Sequence, residues 1–456
     1  MRVLEILYGA VASALHPLLP VVGRGSSKLA RAARGQAGAG AALAAWAERH
    51  RDPTRELIWL HAPSVGEGLQ ARAVLEALKP RRPDAQWVFT HYSPSAEALA
   101  ARMPVDFAGY LPPDTPGEMR RALERLRPAL VVFTKTEVWP TLSRCAARLD
   151  IPTALIGATL PRSSTRRGGA SRALLRPAHQ RLAAVLAVGD ADAQRLVELG
   201  VRPDCLRVTG DPGIDSAATR VDAADPGASW LAPFARSGSE SEPAPGAPGP
   251  DSDAPPLTLV AGSTWPADET ALRPALAALR AAGIAPRLVI APHEPTPAHV
   301  ARLRAELEHD GWNVATLSTI EALGSLDDAE AVIVDRVGVL ADLYTIGHMA
   351  FVGGGFHGSG LHSVLEPAAA GLPVLFGPQH DRAVAAGALI EAGAAHAVGD
   401  ADELQARLHL WITNSQARTA AAHASRGYID RHRGAAARSA DELERLLDRA
   451  RPGRVL

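Results

Sequence analysis

The sequence is poor in the features that mark several protein classes. Its 456 residues include two cysteines, Cys145 and Cys205, in no CxxC and no zinc-ligand spacing. Two cysteines in so long a chain read as small buried hydrophobes of a reducing compartment, not as a disulfide framework. Aromatic residues are 4% of the chain, too few for a platform on which single-stranded bases stack. Lysine occurs only at Lys28, Lys79 and Lys135, and arginine carries nearly all the positive charge. Neither sign of charge prevails: 48 Lys+Arg face 49 Asp+Glu, for a net charge of −1. Such a chain has no global field to hold nucleic acid, so any anion site is local. The histidines are scattered, among them His61, His91, His293, His357, His362 and His380. None forms an HExxH-like pair, and neither a catalytic metal nor a cofactor is expected. What remains is 47% apolar and 21% charged, the composition of a soluble globular protein of roughly two to three domains.

One segment stands apart. Residues 3–22 (VLEILYGAVASALHPLLPVV) are apolar with interruptions at Glu5, His16, Pro17 and Pro20. The length is borderline for a spanning helix, and the prolines break its second half. Arg24, Lys28, Arg31 and Arg34 follow directly. An apolar stretch with a cationic flank suits anchoring at an anionic leaflet. A helix packed on the protein's own core and a signal peptide are the competing readings; Glu5 inside the apolar run argues against the latter.

Beyond it, short apolar runs alternate with helical patterns. Strands are expected at 57–61, 87–90, 130–134, 153–156 and 184–188, then at 257–261, 287–290, 331–334, 349–352 and 373–376. Helices fill the gaps, including one from about Glu67 to Leu78, and 400–448 reads as helical. This alternation predicts parallel sheets with right-handed crossovers. Residues 233–256 (PFARSGSESEPAPGAPGPDSDAPP) hold too little apolar content to order themselves. The expected organisation is therefore an N-terminal membrane-associating segment (1–44), an α/β domain (45–225), a flexible linker or insertion (226–256), a second α/β domain (257–430) and a C-terminal helix (431–456). Two doubly wound, Rossmann-like domains facing across a cleft would bind ligands at the carboxyl ends of their strands.

The chemistry-bearing residues fall at those ends. In the turn 61–68 (HAPSVGEG), Gly66 permits close backbone approach and Glu67 sits at the helix start. There it is either a general base or a first-turn acid favoured by the helix dipole. In 134–140 (TKTEVWP), Glu137 either meets a polar substrate or orders Lys135, with Trp139 packed beneath. Gly262, Ser263 and Thr264 follow a strand and precede Asp268 and Glu269, so their backbone N–H groups are candidates to cradle a phosphate. Pro292 and His293 end the next strand. The densest stretch, 351–378 (FVGGGFHGSGLHSVLEPAAAGLPVLFGP), runs through Gly353-Gly354-Gly355 to a helix expected to begin near His362, with Glu366 one turn in. Triglycine allows a ligand close to the backbone, the helix start favours an anion, and Glu366 suits ribose hydroxyls.

In their order these motifs resemble the bacterial 3-deoxy-D-manno-octulosonic acid (Kdo) transferases. Residues 59–67 (WLHAPSVGE) are similar to the family's W-x-H-x-x-S-V-G-E, and 136–140 (TEVWP) to T-E-x-W-P. Val208-Thr209-Gly210-Asp211 with Asp215 resembles V-T-G-[ND]-x-x-x-D. Residues 261–264 with Glu269 resemble A-G-S-T-x(4)-E, and 351–354 with 365–367 resemble F-V-G-G and L-E-P. There are departures. His293-Glu294 stands where the family often has Arg-His, and Gly213 where it has Lys or Arg. Ser363 replaces Asn, and Val339 replaces the Glu of D-x-x-G-E-L, with Arg336 a candidate substitute cation. They fall largely on the donor side.

The resemblance implies a GT-B type glycosyltransferase. It implies transfer of Kdo from CMP-Kdo to a lipid A precursor, at the cytoplasmic face of the inner membrane and at a membrane surface. Nucleic acid is not an expected partner. Glu67 would be the general base, and Ser64, Gly66 and Glu137 would bind acceptor. Gly262, Ser263, Thr264, Pro292, His293, Gly338, Gly353, Gly354, His362, Ser363 and Glu366 would bind donor. Backbone N–H groups near 262–263 and 353–355 are expected to offset the leaving phosphate, assisted by His293. Another nucleotide-sugar transferase or epimerase of the same fold, and a non-catalytic nucleotide-binding relative, are the rival readings.

Overall fold

The computed structural model describes residues 2–234, 256–326, 328–358 and 360–450. The chain divides into two compact units, Met1–Ser216 with His432–Leu456, and Ala217–Arg431. The first holds a seven-stranded sheet: β1 (Leu57–His61), β2 (Gln86–His91), β3 (Phe107–Tyr110), β4 (Leu130–Thr134), β5 (Thr153–Ala158), β6 (Ala184–Ala187) and β7 (Leu206–Val208). Its order is β3-β2-β1-β4-β5-β6-β7, and every pair is parallel. The second holds β8 (Thr258–Thr264), β9 (Arg287–Pro292), β10 (Val314–Thr316), β11 (Ala331–Ile333), β12 (Met349–Val352), β13 (Val374–Phe376) and β14 (Ala395–Ala397). Their order is β10-β11-β9-β8-β12-β13-β14, again all parallel. These are the two doubly wound sheets the alternation predicts.

The central strands form because their residues are apolar on both faces. Every residue of β1 and β4 is buried, as are all six of β2. Such double burial requires continuous apolar runs instead of strict alternation. Trp59 and Trp87 are fully buried in the first unit; Trp411, Tyr344 and Phe351 are in the second. In a doubly wound sheet the chain reverses direction of winding at a switch point, and the loops there leave a crevice. The switch points are between β1 and β4 in one unit and between β8 and β12 in the other. The turns after those four strands carry the motifs singled out above.

Two features depart from the expected organisation. The segment assigned to a linker begins inside a core: Leu231 and Phe234 are buried and pack with Val260, Val289 and Val332 of the second unit. The rest of that segment, 235–255, lies outside the described residues. The helix Ala435–Ala450 is part of the first unit, where Ala436, Ala440, Leu443 and Leu447 pack beside Ala71 and Leu75 of the helix Val65–Leu78. Asp215 fixes its start, accepting the N–H groups of Gly434 (2.6 Å) and Ala436 (2.8 Å).

The N-terminal helix Arg2–Leu15 is amphipathic in reverse. It turns Glu5 and Gly9 inward, and its large apolar residues outward. Glu5 is 2% exposed and takes a two-pronged ion pair from Arg181, at 2.6 and 2.7 Å. Tyr8 donates its hydroxyl to buried Asp114. Burial lifts the Asp114 carboxyl to about 6, against the lowering effect of the Thr141 and Leu142 N–H groups and Tyr8. Residues 3–22 are long and apolar enough to cross a bilayer.

Replacing Asp215 by Ala removes both caps of the C-terminal helix. The expected cost is roughly 1–3 kcal/mol for the two freed N–H groups. It is read as a lower urea midpoint, with faster hydrogen exchange over residues 435–450 than over β1.

Candidate functional site

In the first unit, β1 delivers the chain to the turn 61–67 beside β4. Ser64 is the N-cap of the helix Val65–Leu78, and Glu67 is that helix's third residue. The Ser64 hydroxyl donates to one oxygen of the Glu67 carboxylate. The Lys135 ammonium sits 3.2 Å from the other. Lys135 reaches it from the turn after β4 with φ +67, a left-handed conformation that is costly for a residue with a Cβ. Burial raises the Glu67 pKa, but the Lys135 charge and the Ser64 hydrogen bond outweigh it, and the carboxyl lies below its ordinary value. Glu67 is thus an ionised carboxylate with 16% of its side chain exposed. Gly66 beside it is exposed, and a Cβ there would meet nothing within 4 Å, so the approach to the carboxylate is open.

The other acid of the first unit does not order Lys135: Glu137 is paired with Arg166. Trp139 lies against Tyr92 and donates its indole N–H to His61 Nε2 at 2.8 Å. His61 Nδ1 lies 3.1 Å from the Thr90 hydroxyl, which also accepts the Trp59 indole N–H at 2.8 Å. Burial, with His91 nearby, pushes the His61 pKa down to about 3, so this imidazole is a neutral strut beneath the turn.

The second unit's candidates gather at the ends of β8, β9 and β12. Ser263 has φ +56, and buried Thr264 donates to Glu269 at 3.1 Å. Glu269 is itself buried and held by His299 (2.9 Å) and Arg302 (2.7 Å), so it braces the helix Pro266–Ala281. Asp268, also buried, accepts three backbone N–H groups: Trp265 at 2.8 Å, Gly354 at 2.8 Å and Phe356 at 3.1 Å. The Gly353 N–H donates to the Gly262 carbonyl at 2.9 Å. This corrects the expectation that the triglycine offers its amides to a phosphate: those of Gly353 and Gly354 are already engaged. Gly354 has φ +95, and a Cβ on it would lie 2.3 Å from the Gly360 carbonyl oxygen. Internal packing is what demands glycine there.

Side chains do project at this end. Trp265 stacks with His293 at 4.7 Å and with His357 at 4.6 Å, and His293 stacks with His362 at 4.4 Å. The Trp265 indole N–H donates to His362 Nε2 at 3.0 Å. Burial and the neighbouring His293 lower the His362 pKa to about 4, so this ring is neutral at physiological pH. Among the described residues no group of three or more His, Cys, Asp or Glu could hold a metal ion; these histidines stack instead of converging.

Other candidates are placed differently from the expectation. The helix after the triglycine starts at Leu365 and has five residues, so Glu366 is its second residue, not one turn in. Glu366 pairs with Arg220 at 2.6 Å. Ser363 is exposed, Pro292 is buried, and Gly338 (φ +92) stands in open space after β11. Arg336, offered as a substitute cation, is held by Glu321 and lies 5.4 Å over the Trp230 ring. The residues that sequence reasoning did not place are Lys135 on Glu67, Arg166 on Glu137, Arg220 on Glu366, Asp268 on the triglycine, and Trp265 with His357 on the histidines. Each acts across strands, where no local period points. The one sequence signal was position: Trp265 directly follows 262–264.

Comparison with known proteins bears on the family and the fold. Residues 42–216 match the family model described as 3-Deoxy-D-manno-octulosonic-acid transferase (kdotransferase). The chain is 30% identical to the 3-deoxy-D-manno-octulosonic acid transferase of Bordetella pertussis, over 96% of this chain and 99% of that one. It is 25% identical to the Haemophilus influenzae enzyme of the same name, over 88% of each. Among solved structures, UDP-GlcNAc 2-epimerase from Neisseria meningitidis matches with a TM-score of 0.58 at 14% identity, over 86% of this chain and all of that one (100%). Acinetobacter baumannii MurG matches with a TM-score of 0.52 at 14% identity, over 86% of this chain and 99% of that one. At that identity they share the fold, of GT-B type, and fold alone does not transfer a reaction.

The Glu67 environment predicts a titration result. Replacing Lys135 by Met removes the nearby positive charge and leaves burial acting alone with Ser64. The Glu67 pKa is expected to rise, while Lys135→Arg keeps it below the ordinary value. Carboxyl-carbon NMR of the labelled full-length chain measures both; an unmoved Glu67 in Lys135→Met would show that the ammonium does not govern it.

Proposed function

This chain belongs to the 3-deoxy-D-manno-octulosonic acid transferase family, a family of glycosyltransferases, and we propose that it transfers Kdo from CMP-Kdo to a lipid A precursor. The observation that carries the proposal is the Glu67 carboxylate, ionised and accessible at a switch point, held by Ser64 on one oxygen and Lys135 on the other. An acceptor hydroxyl of the lipid's glucosamine attacks the anomeric carbon of Kdo. The new C–O bond forms as the bond from that carbon to the CMP phosphate oxygen breaks, and the electron pair leaves with CMP. Glu67 takes the hydroxyl proton. Lys135 holds the carboxylate in place and keeps it unprotonated, at the cost of some basicity. Ser64, Gly66 and Glu137 form the acceptor side.

The donor side is built from side chains more than from backbone amides. Ser363 and His362 are the polar groups next to the triglycine loop that suit the phosphate, with His293 stacked behind His362. Glu366, steadied by Arg220, suits the ribose hydroxyls. Gly262 to Thr264 shape the floor, where a Cβ on Gly262 would lie 2.2 Å from the Tyr344 hydroxyl.

The acceptor is a membrane lipid, and the N-terminal helix gives the reading a physical basis. Val3 is 73% exposed, Ile6 60%, Leu7 57% and Leu15 56%. A contiguous apolar face of this kind marks an interaction surface. Its inner side is tied to the protein by Glu5–Arg181 and Tyr8–Asp114. A helix fixed on its polar side and bare on its apolar side lies on a bilayer, with Arg24, Lys28 and Arg31 near anionic headgroups. The cytoplasmic face of the inner membrane, where CMP-Kdo is available, is the proposed location.

Glu67→Gln tests the base. With CMP-Kdo and a lipid A precursor, products read by mass, turnover is expected to fall roughly 10²–10⁴-fold while CMP binding persists. Turnover at the wild-type rate would remove Glu67 from the role, and turnover of UDP-sugars instead of CMP-Kdo would overturn the donor. For the membrane, replacing Ile6, Leu7 and Val11 together by Ser is expected to lower partition onto anionic vesicles by roughly tenfold or more. Unchanged sedimentation with vesicles would sink the anchor.

A further inference from the structure

The stack at the end of β8, β9 and β12 contains one directional contact. The Trp265 indole N–H can only donate, so His362 Nε2, 3.0 Å away, must accept. The two rings lie 11° from coplanar with centroids 6.4 Å apart, the arrangement of an in-plane hydrogen bond. An accepting Nε2 carries no proton. The proton of a neutral imidazole is then on Nδ1, which makes no hydrogen bond among the described residues. Trp265 is itself held on three sides: by Asp268 at its backbone N–H, by His293 and by His357.

We propose that Trp265 is a positioning residue that fixes His362 as the neutral, Nδ1-protonated tautomer, so that Nδ1–H is the donor offered to the phosphate of a cytidine monophosphate sugar. This rests on the donor reading above and deepens it. It assigns a task to a residue outside the resemblance's donor set, and it explains how a neutral ring serves an anion. A tautomer fixed from one side presents its N–H without reorganisation when the ligand arrives. Titratable neighbours reinforce the choice: His293 stacks on His362 and disfavours its protonation, and His357 stacks on Trp265. The loss of protonation brings a consequence. CMP binding does not depend on a His362 charge anywhere near neutral pH.

The test uses the full-length protein with ¹⁵N-labelled histidine, His362 being assigned by difference with His362→Asn. In the wild type at pH 7.5, His362 is expected to show a protonated Nδ1 and a bare Nε2; in Trp265→Phe, which keeps a stacking ring without the N–H, the tautomers mix. CMP affinity is then measured by calorimetry from pH 8 to 5.5, taking the ratio of variant to wild type at each pH to cancel the ligand's own titration. Trp265→Phe is expected to bind CMP roughly fivefold more weakly at pH 7.5. The ratio should stay the same down to pH 5.5, because burial and His293 keep the ring neutral in the variant as well. In a His362→Asn background, whose amide N–H stands in for Nδ1–H, Trp265→Phe should cost less than twofold. A wild-type His362 protonated on Nε2 or on both nitrogens overturns the proposal. So does a Trp265→Phe penalty that survives in the Asn background, since a purely structural role would give that. A wild type with the expected tautomer but no affinity for CMP overturns the donor reading and the phosphate assignment with it, and leaves the tautomer assignment standing.

Discussion

The second unit's geometry depends on one carboxylate. Asp268 is buried and accepts the N–H groups of Trp265, Gly354 and Phe356. With one group it ties the helix after β8 to the loop after β12, the two strands that flank the switch point. Burial raises the Asp268 pKa, and the three N–H groups work against that rise. The tie sets the loop's course and brings Trp265 under the histidines. It also consumes the Gly354 amide, which is therefore already engaged within the protein.

Both units apply the same device at their switch points. An indole N–H meets an imidazole Nε2 in each: Trp139 with His61 at 2.8 Å and Trp265 with His362 at 3.0 Å. The outcomes differ with burial. His61 is fully enclosed, its other nitrogen beside Thr90, and it supports the turn that carries Glu67. His362 is half-buried, so its remaining N–H is available for work. The first unit thus concentrates charge, Glu67 against Lys135, and the second concentrates stacked rings. A chain of net charge −1 has no global field, so its charges and donors count only locally.

The interior of the fold was legible in the sequence and its margins were not. Strands β1, β4 and β12 fall where the apolar runs predict, because strands buried on both faces need such runs. The four strands without a sequence signal, β3, β7, β10 and β14, are the edges of the two sheets. They are three or four residues long and largely half-exposed, so no run distinguishes them from loop. Glu67 was readable as a candidate because it follows a strand in a compact motif. The short helix Leu365–Ala369 was not, because the polar residues before it resemble a helix start yet are shaped by the tie to Asp268. Composition likewise hid Leu231 and Phe234, two buried residues at the margin of a Pro- and Ser-rich segment.

By itself the sequence determined the α/β class, the order of the motifs and, through that order, the family. These are properties of residue type and spacing along the chain, and strand burial and crossover handedness translate them directly into architecture. Only the tertiary structure decided which polar groups remain available for chemistry. Lys135 meets Glu67 across 68 residues, and Trp265 meets His362 across 97. Hydrogen bonds are short and directional, so each donor is committed by whatever the fold places within reach. The triglycine looked like an open cradle until Asp268 claimed its amide, and His362 was one candidate among scattered histidines until the fold set its Nε2 against the Trp265 indole N–H.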